Sequence, residues 1–115
     1  MLKVVFHMDM DNTPTFELAV GNIANLQKDV GPENARVSLL ANGNAVKHFV
    51  KEANIKYLSL LEELHTKGVK FYLCNNSLNK HGLKKEQMFD FCEVVPAGVT
   101  KLVELQKEGY AYIKP

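Results

Sequence analysis

Few side chains in this sequence can do chemistry, and two cysteines lead them. Cys74 opens the segment Cys74-Asn75-Asn76-Ser77 directly after an apolar run, and Cys92 begins another apolar stretch. A cysteine acts as its thiolate, which needs hydrogen-bond donors or positive charge around it. Two cysteines are too few for a disulfide framework, and these form no C-x-x-C pair. A second cluster, Asp9-Met10-Asp11-Asn12-Thr13, holds two carboxylates that could serve as nucleophile and proton carrier. The histidines, at 7, 48, 65 and 81, are scattered, so zinc is not expected. His7 alone precedes a polar loop, and inside an apolar strand it reads as a hydrogen-bonded core residue. No G-x-G-x-x-G or Walker A spacing exists among the seven glycines, which argues against a nucleotide or flavin cradle.

Composition limits what these groups can serve. The chain has 115 residues, 46% of them hydrophobic, enough for one domain with its own core. Fourteen basic and 13 acidic residues leave a net charge of +1, without the basic face that phosphate contacts require. No apolar run approaches the ~18 residues of a membrane span, and the N-terminus reads as a strand rather than a signal peptide. A cytoplasmic domain that binds neither membrane nor nucleic acid directly is the expectation.

The elements that must position the cysteines and aspartates alternate. Lys3 to Met8 reads as a strand, followed by Asp9 to Thr13 and a helix from Phe16 to Val30 that Pro14 introduces and Gly31-Pro32 stops. Ala35 to Ala41 is a second strand closed by Asn42-Gly43. A short helix over Ala45 to Lys51 follows, then a longer one over Ile55 to Lys67 with Ile55, Leu58, Leu61 and Leu64 on its apolar stripe. Val69 to Leu73 is a third strand. Asn79 to Gly82 reads as a turn and Lys84 to Phe89 as a short helix. Glu93 to Val95 is a fourth strand, Pro96 to Glu108 a helix with Val99, Leu102, Val103 and Gln106 in register, and Tyr110 to Ile113 a closing strand. Strands separated by helices imply right-handed crossovers and a mainly parallel sheet covered on both faces. The expected fold is a flavodoxin-like, three-layer α/β domain with five strands.

Ligands of such sheets bind beyond the carboxyl ends of the strands. Asp9, Asn12, Asn42, Gly43, Cys74, Asn75 and Asn76 all follow strands, as do Ala97 and Gly98, so they should share one rim. Backbone N–H groups at the junction after the third strand would favour a Cys74 thiolate, with Ser77 free to cap the next helical turn. Asn75 and Asn76 are uncharged donors for an anionic sulfur species. A small buried residue at a strand end is the plainer reading of Cys74. Cys92 belongs at the opposite edge, of order 10 Å or more away by strand rise, beyond the ~7 Å Cα limit of a disulfide. It reads as packing.

Four segments, in order and spanning essentially the whole chain, resemble the DsrE/DsrF-like family in its YchN-like form. They are Lys3-Val-Val-Phe-His7, Leu73-Cys-Asn-Asn-Ser77, Glu93-Val-Val-Pro-Ala-Gly98 and Glu108-Gly-Tyr-Ala-Tyr-Ile-Lys-Pro115. The resemblance implies a flavodoxin-like fold, assembly into homotrimers or homohexamers, and a place in intracellular sulfur metabolism. It also implies that Cys74 carries sulfane sulfur as a persulfide, with no cofactor, between donor and acceptor proteins or small sulfane-sulfur species. A non-catalytic oligomeric binding or regulatory module of the same fold is the alternative. Tyr110 and Tyr112, on one face of the closing strand, suit an interface. Asp9 and Asp11 also resemble the first motif of haloacid dehalogenase phosphatases, but Asp90 is the only aspartate after Asp29 and no acidic pair follows the fourth strand, where a magnesium site needs further carboxylates.

Overall fold

The computed structural model describes residues 1–115. Five strands, β1 (Leu2–Met8), β2 (Ala35–Ala41), β3 (Lys70–Cys74), β4 (Cys92–Val95) and β5 (Ala111–Ile113), form one sheet in the order β4-β3-β2-β1-β5. Every pairing is parallel. The three-layer α/β architecture is the one expected, with a strand order different from the 2-1-3-4-5 of flavodoxin itself.

The order follows from where each crossover must go. The first three connections step from β1 to β2, β3 and β4, each to the neighbouring strand. Right-handed crossovers that all step one way pack on one face. That face carries α1 (Thr13–Val30), 3-10 segments at Gly43–Phe49 and Glu52–Tyr57, α2 (Leu58–Thr66) and α3 (Asn75–Lys80). The fourth connection returns from one edge to the other, so α4 (Gly98–Lys107) covers the opposite face. The core is divided accordingly. Twenty-three buried residues, including Val4, Phe6 and Met8 of β1, pack on the first face. Six, Val5, Leu40, Tyr72, Val95, Leu102 and Leu105, pack under α4, so that layer is the thin one.

Local chemistry sets most boundaries. The Asn12 side chain accepts the Thr15 N–H at 2.9 Å and so caps α1, Pro14 sits in its first turn, and Gly31 at φ 88° ends it. Several expectations about helices change. The stretch from Ile55 is not one α-helix: residues 55–57 finish a 3-10 segment kinked at Asn54 (φ −127°, its amide spent on the Lys47 and Val50 carbonyls), α2 begins only at Leu58, and Ile55 stays 61% exposed. In α4 the buried stripe is Gly98, Leu102 and Leu105, while Val99 and Val103 face solvent. The helix starts at Gly98 rather than Pro96, and that start fixes which side turns inward. The 45–51 segment is 3-10 rather than α, and Asn79 and Lys80 finish α3 instead of beginning a turn. No helix is long and apolar enough to cross a membrane.

Candidate functional site at the Cys74 rim

All five strands are parallel, so the loops that follow them gather along one rim. The loops after β1, β2 and β3 lead to the first face, whereas the loop after β4 leads to α4 on the other. Adjacent loops diverge at the ends of β3 and β4, the kind of switch point beyond which open α/β sheets bind ligands. Cys74 is the last residue of β3 and pairs with Val95, the last of β4. The first residue of α4, Gly98, sits against it. A Cβ on Gly98 would lie 3.1 Å from Leu40 Cδ2, 3.2 Å from Cys74 Cβ and 3.3 Å from Asn42 Cβ. Only glycine lets the helix N-terminus come this close to the thiol.

Cys74 is 6% exposed. Burial pushes its pKa up, but the Ser77 hydroxyl and the backbone N–H groups of Gly98, Ser77 and Asn76 pull it down, and the net direction is below the ordinary thiol value. The hydroxyl and the backbone donors together outweigh desolvation here. The expectation about Ser77 changes: α3 begins at Asn75, directly after Cys74, so Ser77 lies inside the helix and caps nothing. Its Oγ instead accepts the Gly43 N–H at 2.7 Å, which ties the loop after β2 to the thiol's surroundings. Gly43 itself has φ 56°, and a Cβ there would meet the Asp9 carbonyl oxygen at 2.8 Å.

The remaining rim residues divide by what they touch. The Asn42 side-chain oxygen is 2.8 Å from His7 Nε2, and His7 Nδ1 is hydrogen-bonded to the Tyr112 hydroxyl. Asp9 pairs with Lys114 at 2.8 Å, and the hydrogen bond from that ammonium holds its carboxyl below the usual range. Asn12 is occupied as the α1 cap. Asn75 and Asn76 are exposed, and it is the Asn76 backbone N–H, not an amide side chain, that acts on the thiol. Asp11 lies 3.4 Å from His48, a buried ring stacked on Phe16 that burial keeps neutral against the pull of Asp11. Asp9 and Asp11 therefore have separate cationic or imidazole partners. No three His, Cys, Asp or Glu side chains converge as a metal site requires. The most apolar depression, between Phe16, Val20 and Ala24 of α1 and Tyr57 and Leu60, lies away from the rim and offers no nucleophile.

Cys92 packs into the first-face core, and burial followed by the nearby Asp90 charge pushes its thiol up to about 12. The register puts it opposite Phe71, three residues down from the Cys74 pair, so about 10 Å along the strand by rise per residue. Both cysteines are free.

Sequence reasoning placed Gly98 on the rim without a role and did not assign His7, Tyr112 or Ser77 to the site. The signal for His7 was parity: it shares its side of β1 with Val5, which faces α4. Tyr112 pairs with Val5 in register and so falls on the same side.

Comparison with known proteins agrees with this architecture. The chain is similar over its full length, and over all of the other chain, to the structure of MTH1491 from Methanobacterium thermoautotrophicum, a protein of unknown function, with 32% identity and a TM-score of 0.91. The ychN protein from E. coli shares the fold at 16% identity and a TM-score of 0.80, with both chains covered completely. BT1422 from Bacteroides thetaiotaomicron, a conserved protein of unknown function, does so at 18% identity and a TM-score of 0.75, over 98% of this chain and 94% of its own. No curated protein matches the sequence. The model of the DsrE/DsrF-like family matches residues 3–115. With the strand order, the rim cysteine and the match spanning nearly every residue, this chain belongs to the DsrE/DsrF-like family, a family related to sulfur metabolism.

Proposed function

We propose that Cys74 binds sulfane sulfur as a persulfide and passes it on. The observation that carries this reading is a buried thiol at the carboxyl end of β3 whose pKa is lowered, against burial, by the Ser77 hydroxyl and by backbone N–H groups of two helix starts. A thiol near ambient pH in its pKa combines thiolate population with nucleophilicity. The thiolate attacks the outer sulfur of a donor R–S–SH. The bond between the two donor sulfurs breaks as the Cys74–sulfur bond forms, and R–S⁻ leaves with that electron pair and takes a proton from solvent. The product is Cys74–S–SH, and nothing is oxidised or reduced overall. An acceptor thiolate reverses the process on the same outer sulfur, and the Cys74 thiolate leaves, stabilised by the donors that lowered its pKa. The donors and acceptors are proteins or small sulfane-sulfur species, and a homotrimeric or homohexameric assembly in the cytoplasm is part of the same reading.

Intact-mass spectrometry after incubation with polysulfide tests it. The wild type and Cys92→Ser gain whole sulfur atoms that a reductant removes, and Cys74→Ser gains none. Absence of any adduct on folded wild-type protein would favour the second reading, a binding or regulatory module without sulfur chemistry. The exposed Val99 and Val103 on α4 give that reading its support, since they leave an apolar stripe open beside the rim.

A further inference from the structure

The α4-facing side of the sheet is apolar through its middle, with Val5, Leu40, Tyr72 and Val95 buried there. At the rim it ends in a polar row that crosses the strands. Tyr112 of β5 bonds to His7 of β1, and His7 bonds to Asn42 at the end of β2. Asn42 and Cys74 flank one gap, since the same point on Gly98 lies 3.3 Å from one Cβ and 3.2 Å from the other.

With the Asn42 side-chain oxygen facing His7, the hydrogen-bond types in this row give one assignment of protons. The Asn42 side-chain oxygen can only accept, so His7 Nε2, 2.8 Å away, carries the proton. In the neutral ring Nδ1 then accepts, and the Tyr112 hydroxyl donates to it. With its oxygen spent on His7, Asn42 turns its NH₂ away from the ring, and that NH₂ has no partner within the chain. His7 is thus held as the Nε2–H tautomer between Asn42 and Tyr112, which leaves the NH₂ end of the amide available beside Cys74.

We propose that Tyr112 and His7 orient the Asn42 amide so that its Nδ2–H donates to the terminal sulfur of a persulfide on Cys74. Asn42 is then a sulfur-binding residue, and His7 and Tyr112 are positioning residues acting through it. The proposal rests on the persulfide reading of Cys74 and adds a recognition element to it. The backbone donors around Cys74 act on Sγ, whereas the Asn42 amide acts on the added sulfur. Losing it should shorten the life of the adduct without dulling the free thiol.

Two measurements on the full chain test this. Long-range ¹H–¹⁵N NMR of the unmodified protein reads the His7 tautomer, and Nε2–H is expected. An Nδ1–H ring would reverse the amide, aim its oxygen at the sulfur and overturn the proposal. After polysulfide loading, the lifetime of the adduct is compared in wild type, Tyr112→Phe and Asn42→Asp. Tyr112→Phe should shorten it about three- to tenfold, the range of one lost hydrogen bond, while alkylation of the unloaded thiol by iodoacetamide stays within about twofold. Asn42→Asp keeps the bond to His7 but replaces the donor with a carboxylate, and should shorten the lifetime further. Thermal midpoints of the variants show whether the fold is intact, and Tyr112→Phe removes only one oxygen. Equal lifetimes in all three folded proteins would overturn the orientation role and leave the carrier reading standing. Failure of the wild type to load would remove both.

Discussion

Cys74 and Cys92 are each 6% exposed and lie on adjacent strands, yet their thiols are driven in opposite directions. Cys92 faces the larger core, where apolar side chains surround it and nothing compensates the loss of water, and its pKa rises to about 12. Cys74 faces the thin α4 layer at the rim, where the first turns of two helices present N–H groups, and its pKa falls. Burial alone does not decide whether a cysteine is reactive. What decides is whether the space that excludes water is lined by carbon or by unpaired backbone donors, and a parallel sheet supplies the second kind only at its carboxyl rim.

The widest way to test this contrast is chemical. In the native protein at neutral pH, iodoacetamide should modify Cys74 about a hundredfold or more faster than Cys92, because thiolate population outweighs the lower nucleophilicity of the more acidic thiol. Peptide mapping after timed alkylation reads the ratio, and comparable rates would end the comparison.

The next effect is a pH dependence of stability with opposite signs. An unfolded thiol titrates near 9. For Cys92 the folded value is higher, so stability is unaffected below about pH 9 and is lost as pH rises towards 12, at about 1.4 kcal/mol per unit. For Cys74 the folded value is lower, so its contribution appears as pH rises through that value and is complete above about 9. Urea melts between pH 8 and 11 should therefore show a shallower alkaline loss in Cys92→Ala than in wild type. A parallel pair of curves would mean that Cys92 is not desolvated.

Gly98→Ala sharpens the contrast from the rim side. The added carbon meets three atoms at 3.1 to 3.3 Å, a degree of overpacking that costs about 1–3 kcal/mol. It should also move the α4 N–H groups off the thiol and shift the midpoint of Cys74 alkylation to higher pH. The smallest change is Ser77→Ala. It leaves the Gly43 N–H without its acceptor, worth about 1 kcal/mol, and moves the same midpoint upward without touching Cys92.

How far this was legible in the sequence differs between backbone and side chains. Strand β2 falls on the residues read from its β-branched and aliphatic run, and the Asn12, Pro14 and Gly31 signals bound α1 as their chemistry requires. Parallel topology then placed Cys74, Asn42 and Gly98 on one rim. The helix faces were less legible. In α4 the choice between Val99-Val103 and Leu102-Leu105 depends on where the helix starts, and its start at Gly98 is fixed by contact with Cys74 and Leu40, residues distant in sequence. The asparagines were read by type as side-chain donors, while the donor that reaches the thiol is the Asn76 backbone, which every residue but proline possesses. The His7–Tyr112 bond joins residues 105 apart, and no local pattern announces it.

That separation has a bearing on assembly in time. Three side-chain bonds join β1 and its loop to the segment following α4, Lys3 to Glu108, His7 to Tyr112 and Asp9 to Lys114, and each spans 105 residues. Contacts this remote in sequence are the slowest to close, and β5 contributes only three paired residues at an open edge. In the finished protein the same strand is the cheapest to detach, because local opening follows the elements with the fewest buried contacts. Fraying of β5 would loosen the far end of the row while the nucleophile stays in place.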